Sequence, residues 1–521
     1  MYLLLAGLGS LATVLAYVAY TESIWSKSLR TRQAVLDQLG LVQRAESKIY
    51  RFVGFFHPYC NAGGGGERVL WTAIAHIQRE HRDIVSVVYS GDTDASKTDI
   101  INKVKARFAI DLEPSTLHFV YLKSRYLVED SRWPRFTILG QSLGSIYLAW
   151  EAMCEFVPDL YIDTMGYAFT FPAVTWLTRG AVPIGAYVHY PTISTDMLAR
   201  VPAESWKMWA KRAYYRLMMY YYALSLSHAR FLMVNSSWTR NHIASILSHE
   251  HFGPTMCWAS RLTPLLAVEL ALSSRALRTT MLVVGSYPTA GSPAIQTVQT
   301  VEPEIVYPPC DMREMVKFRL DNREPTILSV AQFRPEKDHA AQLRAFAQLL
   351  MDHPEYKCSP TSKVHLVLLG GARNAGDLAR VGKLRSLASE FDILNHVTFV
   401  VNASYPEVLK WLSRSSIGLS TMVDEHFGIN IVEFMAAGLI PLVHASGGPL
   451  HDIVVPYQLG PTGFHAKAPG EFATAMHEIL TLDPVQTTTL RERARRWATE
   501  RFSEEEFVKG WEKSGWRSHI P

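Results

Sequence analysis

The 521-residue sequence holds only five cysteines, Cys60, Cys154, Cys257, Cys310 and Cys358, each far from the next. The chain has no CxxC pair and no Cys/His group at zinc-finger spacing, which argues against a disulfide framework and a structural zinc and suits reduced cytosolic thiols. An excess of one charge is also missing. Lys and Arg number 52 against 48 Asp and Glu, and the resulting +4 is too weak to hold duplex nucleic acid, so nucleic acid is not expected as a partner. Neither a Walker A motif nor a GxGxxG fingerprint occurs in the glycine-rich loop described below. What is present, 48% hydrophobic and 19% charged residues, belongs to a globular chain, and the length allows two to four domains.

Charge is wholly absent from Tyr2 to Tyr20, a run long enough at helical rise to cross a bilayer about 30 Å thick. A cleavable signal would carry a basic segment before the apolar run, whereas here Lys27, Arg30 and Arg32 follow it. Residues 1–21 therefore read as a membrane anchor and 22–47 as a linker, with the later positive charge placing the remainder in the cytosol. A buried terminal helix is the alternative. The sequons at Asn235 and Asn402 are then chance.

From Lys48 onward, short β-branched and aromatic runs alternate with amphipathic helical stretches, the pattern of parallel sheets covered on both faces. Strands are expected at Tyr50–Phe55, Ile84–Tyr89, Leu117–Tyr121, Asp159–Asp163, Ile184–Val188 and Phe231–Val234. A second set is expected at Thr326–Val330, His365–Leu369, Val397–Val401, Ile417–Ser420 and Ile440–Val443, with helices such as Ala340–Leu350 and Val432–Ala437 between them. The fold class is thus α/β, with two doubly wound Rossmann-like domains, 48–310 and 311–521. Tyr307-Pro308-Pro309 lies at their junction, and a helical tail ends the second. Ligands of such a pair sit at the carboxyl ends of the strands. Phe252–Thr300, rich in Ser, Thr and Ala, is too long for an ordinary loop and reads as an insertion within 252–300. Trp206–Tyr222 interleaves aromatics with Lys207, Lys211, Arg212 and Arg216, which suits either a helix at a lipid headgroup boundary or one burying its rings.

Three loops carry chemistry. After the first strand, His57-Pro58-Tyr59-Cys60-Asn61-Ala62 leads into four glycines, Gly63 to Gly66, and then a helix; Gly64, Gly65 and Gly66 let backbone N–H groups approach a phosphate or sugar. In the second half, Glu425 and Glu433 bracket a helix start in DEHFGINIVE, where a nucleotide diphosphate could meet free N–H groups while Glu433 accepts from ribose hydroxyls. A capping pair on a solvated helix is the bland reading. Arg334 and Lys337, in SVAQFRPEK at the end of a strand, could neutralise a diphosphate leaving group or form surface ion pairs. Asp92-Thr93-Asp94 reads as turn chemistry rather than a metal motif. Asn374, in the Gly370–Asn374 loop, and the Val401–Ser404 loop lie at strand ends where backbone groups could read a base.

The E-x7-E pair, the cationic loop before it and the glycine-rich first loop resemble glycosyltransferase family 4. FFHPYCNAGGGGERVLW, AYVHYPTIS, SVAQFRPEKDH and EHFGINIVEFMAAG resemble, within it, the mannosyltransferases of asparagine-linked glycosylation. The resemblance implies a GT-B fold and a retaining α-1,2 transfer of the fourth and fifth mannoses from GDP-mannose to a dolichol-diphosphate-linked oligosaccharide. It implies cytosolic catalytic domains at the endoplasmic reticulum membrane, contact with membrane lipid and with other mannosyltransferases, and no metal or other cofactor. Carried onto this sequence, Glu425 and His189 face the donor sugar. Glu433 meets the ribose, and Arg334, Lys337 and the Gly428–Ile429 helix start meet the diphosphate. The family's Gly-Arg pattern is replaced by Ala331-Gln332, which displaces the arginine to Arg334. A UDP-sugar-dependent glycolipid transferase and a non-catalytic nucleotide-sugar-binding scaffold remain as alternatives.

Overall fold

The structure is a computed structural model, and the residues it describes are 2–42, 49–194, 197–198, 205–248, 301–358 and 363–521. The expected insertion, 252–300, lies outside them. Two parallel sheets organise the chain. The first contains β1 (Arg51–Phe56), β2 (Ile84–Ser90), β3 (Leu117–Tyr121), β4 (Leu160–Asp163), β5 (Ile184–Val188), β6 (Phe231–Val234) and β7 (Glu304–Ile305), in the order β3-β2-β1-β4-β5-β6-β7. The second contains β8 (Glu324–Val330), β9 (His365–Gly370), β10 (Val397–Val401), β11 (Ser415–Ser420), β12 (Ile440–His444) and β13 (Phe464–Ala466), in the order β10-β9-β8-β11-β12-β13. The central strands are buried on both faces because helices cover both sides, which is why they read as mainly apolar runs without polar alternation. In each sheet the strand order reverses beside the first strand, at β1/β4 and at β8/β11, and the candidate loops leave the sheets there.

The helices used below are α1 (Tyr2–Gln38), α2 (Gly65–Glu80), α3 (Lys97–Phe108), α4 (Thr137–Glu155), α5 (Trp206–Leu226), α6 (Ser237–Leu247), α7 (His339–Asp352), α8 (Ile429–Ala437), α9 (Pro484–Phe502) and α10 (Glu504–Lys513). The stretch expected as a linker is instead mostly helix. Ile24 and Val35 on α1 are buried in the first core, and Arg32 pairs with Asp159 at 2.9 Å, so α1 is seated on the first domain through its second half. The expected span, Tyr2–Tyr20, forms the first half of α1, and its side chains up to residue 12 lie outside the described residues. Among the described residues no helix is long and apolar enough to cross a membrane.

The chain's end returns to the first domain. Phe507 and Trp511 of α10, with Trp516 beyond it, are fully or almost fully buried in the core beside Phe55, Trp71 and Tyr187. Helix α5 divides along its length: Trp206 and Trp209 are 75% and 68% exposed, whereas Met218, Met219 and Tyr222 are buried.

Candidate active site

The first wall of the cleft begins where β1 ends. His57 is fully buried, with Nδ1 2.8 Å from the Thr164 hydroxyl after β4 and Nε2 3.5 Å from the Glu67 carboxylate. Glu67 lies in the first turn of α2 and accepts the Gly64 N–H, closing that helix start. Burial would raise the Glu67 carboxyl, but His57 and the Gly64 N–H together hold it below its ordinary value. Gly63 takes φ +85°, a conformation favouring glycine. The loop is pinned from outside as well: Asp92 accepts the Asn61 N–H at 2.9 Å, the Lys103 ammonium donates to Asn61 O at 2.6 Å, and Arg107 donates to Gly63 O at 3.4 Å. Asp92 also pairs with Arg125, while Asp94 is exposed, so the Asp92-Thr93-Asp94 triplet anchors a turn.

His189 follows β5. Its Nε2 lies 3.2 Å from the Thr164 carbonyl, an acceptor only, so Nε2 carries the proton and Nδ1 keeps its lone pair. Desolvation first, and then neighbouring His57, push its pKa down to about 4, leaving a neutral imidazole at physiological pH. Asn235 fixes the backbone by donating to His189 O at 2.9 Å. A Cβ at Gly66 would stand 3.5 Å from His189 Nε2, so the last glycine of the loop packs on this ring.

The second wall is built at the ends of β8, β11 and β12. Lys337 and Glu425, 88 positions apart, form an ion pair at 2.5 Å with both side chains largely shielded from solvent. Glu425 is held from behind: the Gly448 N–H donates to its carbonyl at 2.8 Å, and a Cβ at Gly447 would fall 2.3 Å from that oxygen. Gly428, at φ +110°, starts α8 without any side-chain cap, and Asn430 ties the helix start to Val330 O at 3.1 Å. The N–H groups of Ile429 and Asn430 thus face the cleft end of an uncapped helix. Arg334 stands apart, half-exposed, with Glu336 4.0 Å away.

The walls touch. A Cβ at Gly65 would lie 2.8 Å from Ile429 Cδ1, which places the glycine loop directly on the start of α8. His426 stacks on Tyr190 with ring centroids 4.0 Å apart, and Trp238 lies 5.0 Å away. Glu433, half-buried in the second turn of α8, feels Arg68 and Arg107 of the first domain together with Asp311; desolvation outweighs those cations and raises its pKa to about 7. Gly64 to Gly66, His189, Lys337, Glu425, Gly428, Ile429 and Glu433 therefore gather where the two domains meet.

The side chains of Asn374 and Asn402 shape the two strand-end loops. Asn374 caps its helix by accepting the Asp377 N–H at 2.9 Å, and Asn402 accepts the Ala372 N–H at 2.8 Å. Sequence reading missed the supports. Asp452 accepts the Ser237 N–H and hydroxyl and the Tyr307 hydroxyl at 2.8–3.1 Å, stitching the second domain to the start of α6. Arg495 donates to Ala436 O, Val316 O and Phe318 O, and Arg323 to Ala437 O, so two guanidiniums close the carboxyl end of α8. No local pattern marks such contacts, because their partners are distant in sequence.

Two parallel α/β domains meeting at an uncapped helix start, a shielded Lys–Glu pair and a glycine loop define a glycosyltransferase of the GT-B fold. Solved structures agree on the fold: the Anabaena protein Alr3699/HepE in complex with UDP and glucose has a TM-score of 0.54 and 15% identity, covering 89% of this chain and 99% of that one. A UDP-forming trehalose-phosphate synthase from Burkholderia xenovorans has a TM-score of 0.60 and 10% identity, covering 91% and 100%. Residues 50–247 match the family described as ALG11 mannosyltransferase N-terminus, and 312–500 match Glycosyl transferases group 1. The GDP-Man:Man(3)GlcNAc(2)-PP-Dol alpha-1,2-mannosyltransferase of Xenopus laevis is 42% identical over 479 residues, 89% of this chain and 86% of the relative. The human protein of that name is 41% identical over 472 residues, 87% and 84%. The chain belongs to this family of mannosyltransferases.

Proposed function

We propose that the protein transfers mannose from GDP-mannose to the dolichol-diphosphate-linked oligosaccharide bearing three mannoses, adding the fourth and fifth residues in α-1,2 linkage. Its place is the endoplasmic reticulum membrane, with Tyr2–Tyr20 as anchor and both α/β domains in the cytosol. The names of the relatives support donor and acceptor, and the apolar run supports the anchor. The observation that carries the reading is the Lys337–Glu425 pair beside the uncapped start of α8, opposite neutral His189.

In this reading the donor diphosphate lies on the Ile429 and Asn430 N–H groups, with Lys337 neutralising it and Glu433 holding the ribose. His189 Nδ1 accepts from a donor-sugar hydroxyl and Glu425 from another, fixing the ring. The acceptor hydroxyl attacks the anomeric carbon from the face the diphosphate leaves. The new glycosidic bond forms as the bond to the diphosphate breaks, and the departing phosphate takes the hydroxyl proton, retaining configuration. Helix start and ammonium stabilise the charge that develops on the leaving group, with no metal assigned a role.

The test is transfer of labelled mannose from GDP-mannose to that acceptor without added metal, comparing wild type with Glu425→Ala. Extension by one or two mannoses in wild type, falling roughly a hundredfold or more in the variant, is expected for loss of a transition-state contact. Full activity in the variant would remove Glu425 from the site. Extension from UDP-sugars alone would overturn the choice of donor.

A further inference from the structure

Strands β1, β4 and β5 are neighbours in the first sheet, and the residues just past their carboxyl ends form one polar chain. His57 follows β1, Thr164 follows β4 and His189 follows β5, while α2 supplies Glu67 in its first turn. His57 and Thr164 are both fully buried. His57 Nε2 stands 3.5 Å from a Glu67 oxygen and has no hydrogen-bond partner of ordinary length among the described residues; Nδ1 is 2.8 Å from the Thr164 hydroxyl. An imidazole enclosed in this way costs stability that an apolar side chain would not, so burial alone gives no reason for a histidine here.

Donors and acceptors run in one direction along the chain. The Glu67 carboxylate, which also takes the Gly64 N–H, is an acceptor only, so the His57 proton belongs on Nε2 and Nδ1 accepts from the Thr164 hydroxyl. The Thr164 carbonyl in turn accepts from His189 Nε2 at 3.2 Å. The Thr164 N–H donates to Phe56 O at 3.3 Å, so with its hydroxyl held by His57 the residue has little freedom to turn its carbonyl away from His189. Asn235 already fixes the His189 backbone, and what remains to be set is the ring and its tautomer.

The geometry points to His57 as a positioning residue for His189: gripped between Glu67 and the Thr164 hydroxyl, it holds the carbonyl that fixes the His189 ring and keeps its Nδ1 an acceptor. This role rests on the reading of His189 as a donor-sugar contact; His57, fully buried, touches no substrate itself.

Steady-state transfer by the full chain tests it in wild type, His57→Leu, His189→Ala and the double variant. Loss of aim lowers kcat about tenfold or more in His57→Leu, while KM for GDP-mannose stays within about twofold. In the His189→Ala background the same change costs less than about twofold, because nothing is left to aim. His57→Asn, whose amide oxygen still accepts from Thr164, recovers part of the loss. Thr164→Val removes only the hydroxyl and reproduces the loss, so the link is read even where His57→Leu does not fold. Equal losses in the two backgrounds would overturn the role by assigning His57 to the fold at large. A second readout needs no turnover: nuclear magnetic resonance of isotope-labelled imidazole nitrogens, with the His189 signals identified by their absence from His189→Ala. Wild type shows one neutral tautomer protonated on Nε2, and His57→Leu and Thr164→Val show a mixture. A single Nε2–H tautomer in both variants would sink the role of His57 alone. A fully active His189→Ala would count instead against the sugar contact, leaving the tautomer result to decide what His57 does.

Discussion

At the residue scale, the proposed ribose contact makes Glu433 the side chain whose ionisation couples most directly to donor binding. Its carboxyl is raised to about 7 by desolvation, opposed by Arg68 and Arg107 and reinforced by Asp311. Ribose hydroxyls donating to it favour the charged form, so below about pH 7 binding must first expel a proton. GDP affinity is therefore expected to fall as pH drops, by up to about tenfold per unit below 7. Calorimetric titration of GDP across pH 5.5–8 (about that range) checks this, and Glu433→Gln should flatten the profile. A pH-independent affinity in wild type would remove the carboxylate from the ribose. Four consecutive glycines and two glutamates eight apart carry a local signature, whereas His189 stands out only through the family resemblance, since a histidine just past a strand is by itself an ordinary core residue. Glu67, Asp92 and Asp452 could not be read in advance, because each acts through a partner that only the fold brings near.

At the element scale, α8 connects the chemistry to the scaffold. Its amino end carries no side-chain cap, while its carboxyl end is closed by Arg495 and Arg323. Arg495→Met removes donors from three carbonyls, an expected loss of ~2–4 kcal/mol that urea denaturation would read as a lower midpoint. An unchanged midpoint would mean that water or Arg323 satisfies those carbonyls. The longer central strands are legible to within two residues because burial of their middles on both faces leaves a largely apolar, β-branched run. Strands β7 and β13, of two and three residues, are too short to show any period and emerge only as edge pairings. The helical continuation of α1 past Tyr20 was hidden by polar residues that face solvent, while Ile24 and Val35 meet the core on the other side.

At the scale of the whole molecule, the last helix fastens the two domains. Glu512 of α10 accepts from His76 Nε2 at 2.7 Å, His81 Nε2 at 3.2 Å and Trp516 Nε1 at 3.3 Å. Burial would raise this carboxyl, but these donors outweigh it and bring the pKa down to about 2 from an ordinary 4.5. A depressed carboxylate stabilises the folded state fully above 4.5, and that contribution is lost as pH falls from there toward 2. Amide exchange in α10 should therefore accelerate over that window before the strands of either sheet loosen. Glu512→Gln should show the faster exchange already at neutral pH. Exchange in α10 that follows the global transition instead would show that apolar packing alone holds the tail. The two-sheet plan could be read from the alternation of runs, but the tail's destination could not, since α10 resembles any amphipathic helix until Trp511 is found beside Phe55.

That return of the chain also sets an order on biosynthesis. Phe507, Trp511 and Trp516 complete a core whose other members, from Val53 to Val306, are made about two hundred residues or more earlier. On the ribosome the first domain must wait, its apolar face open, through translation of the entire second domain. At synthesis rates of about 5–20 residues per second that interval spans tens of seconds, during which a chaperone or the membrane surface must shield what the final residues will cover.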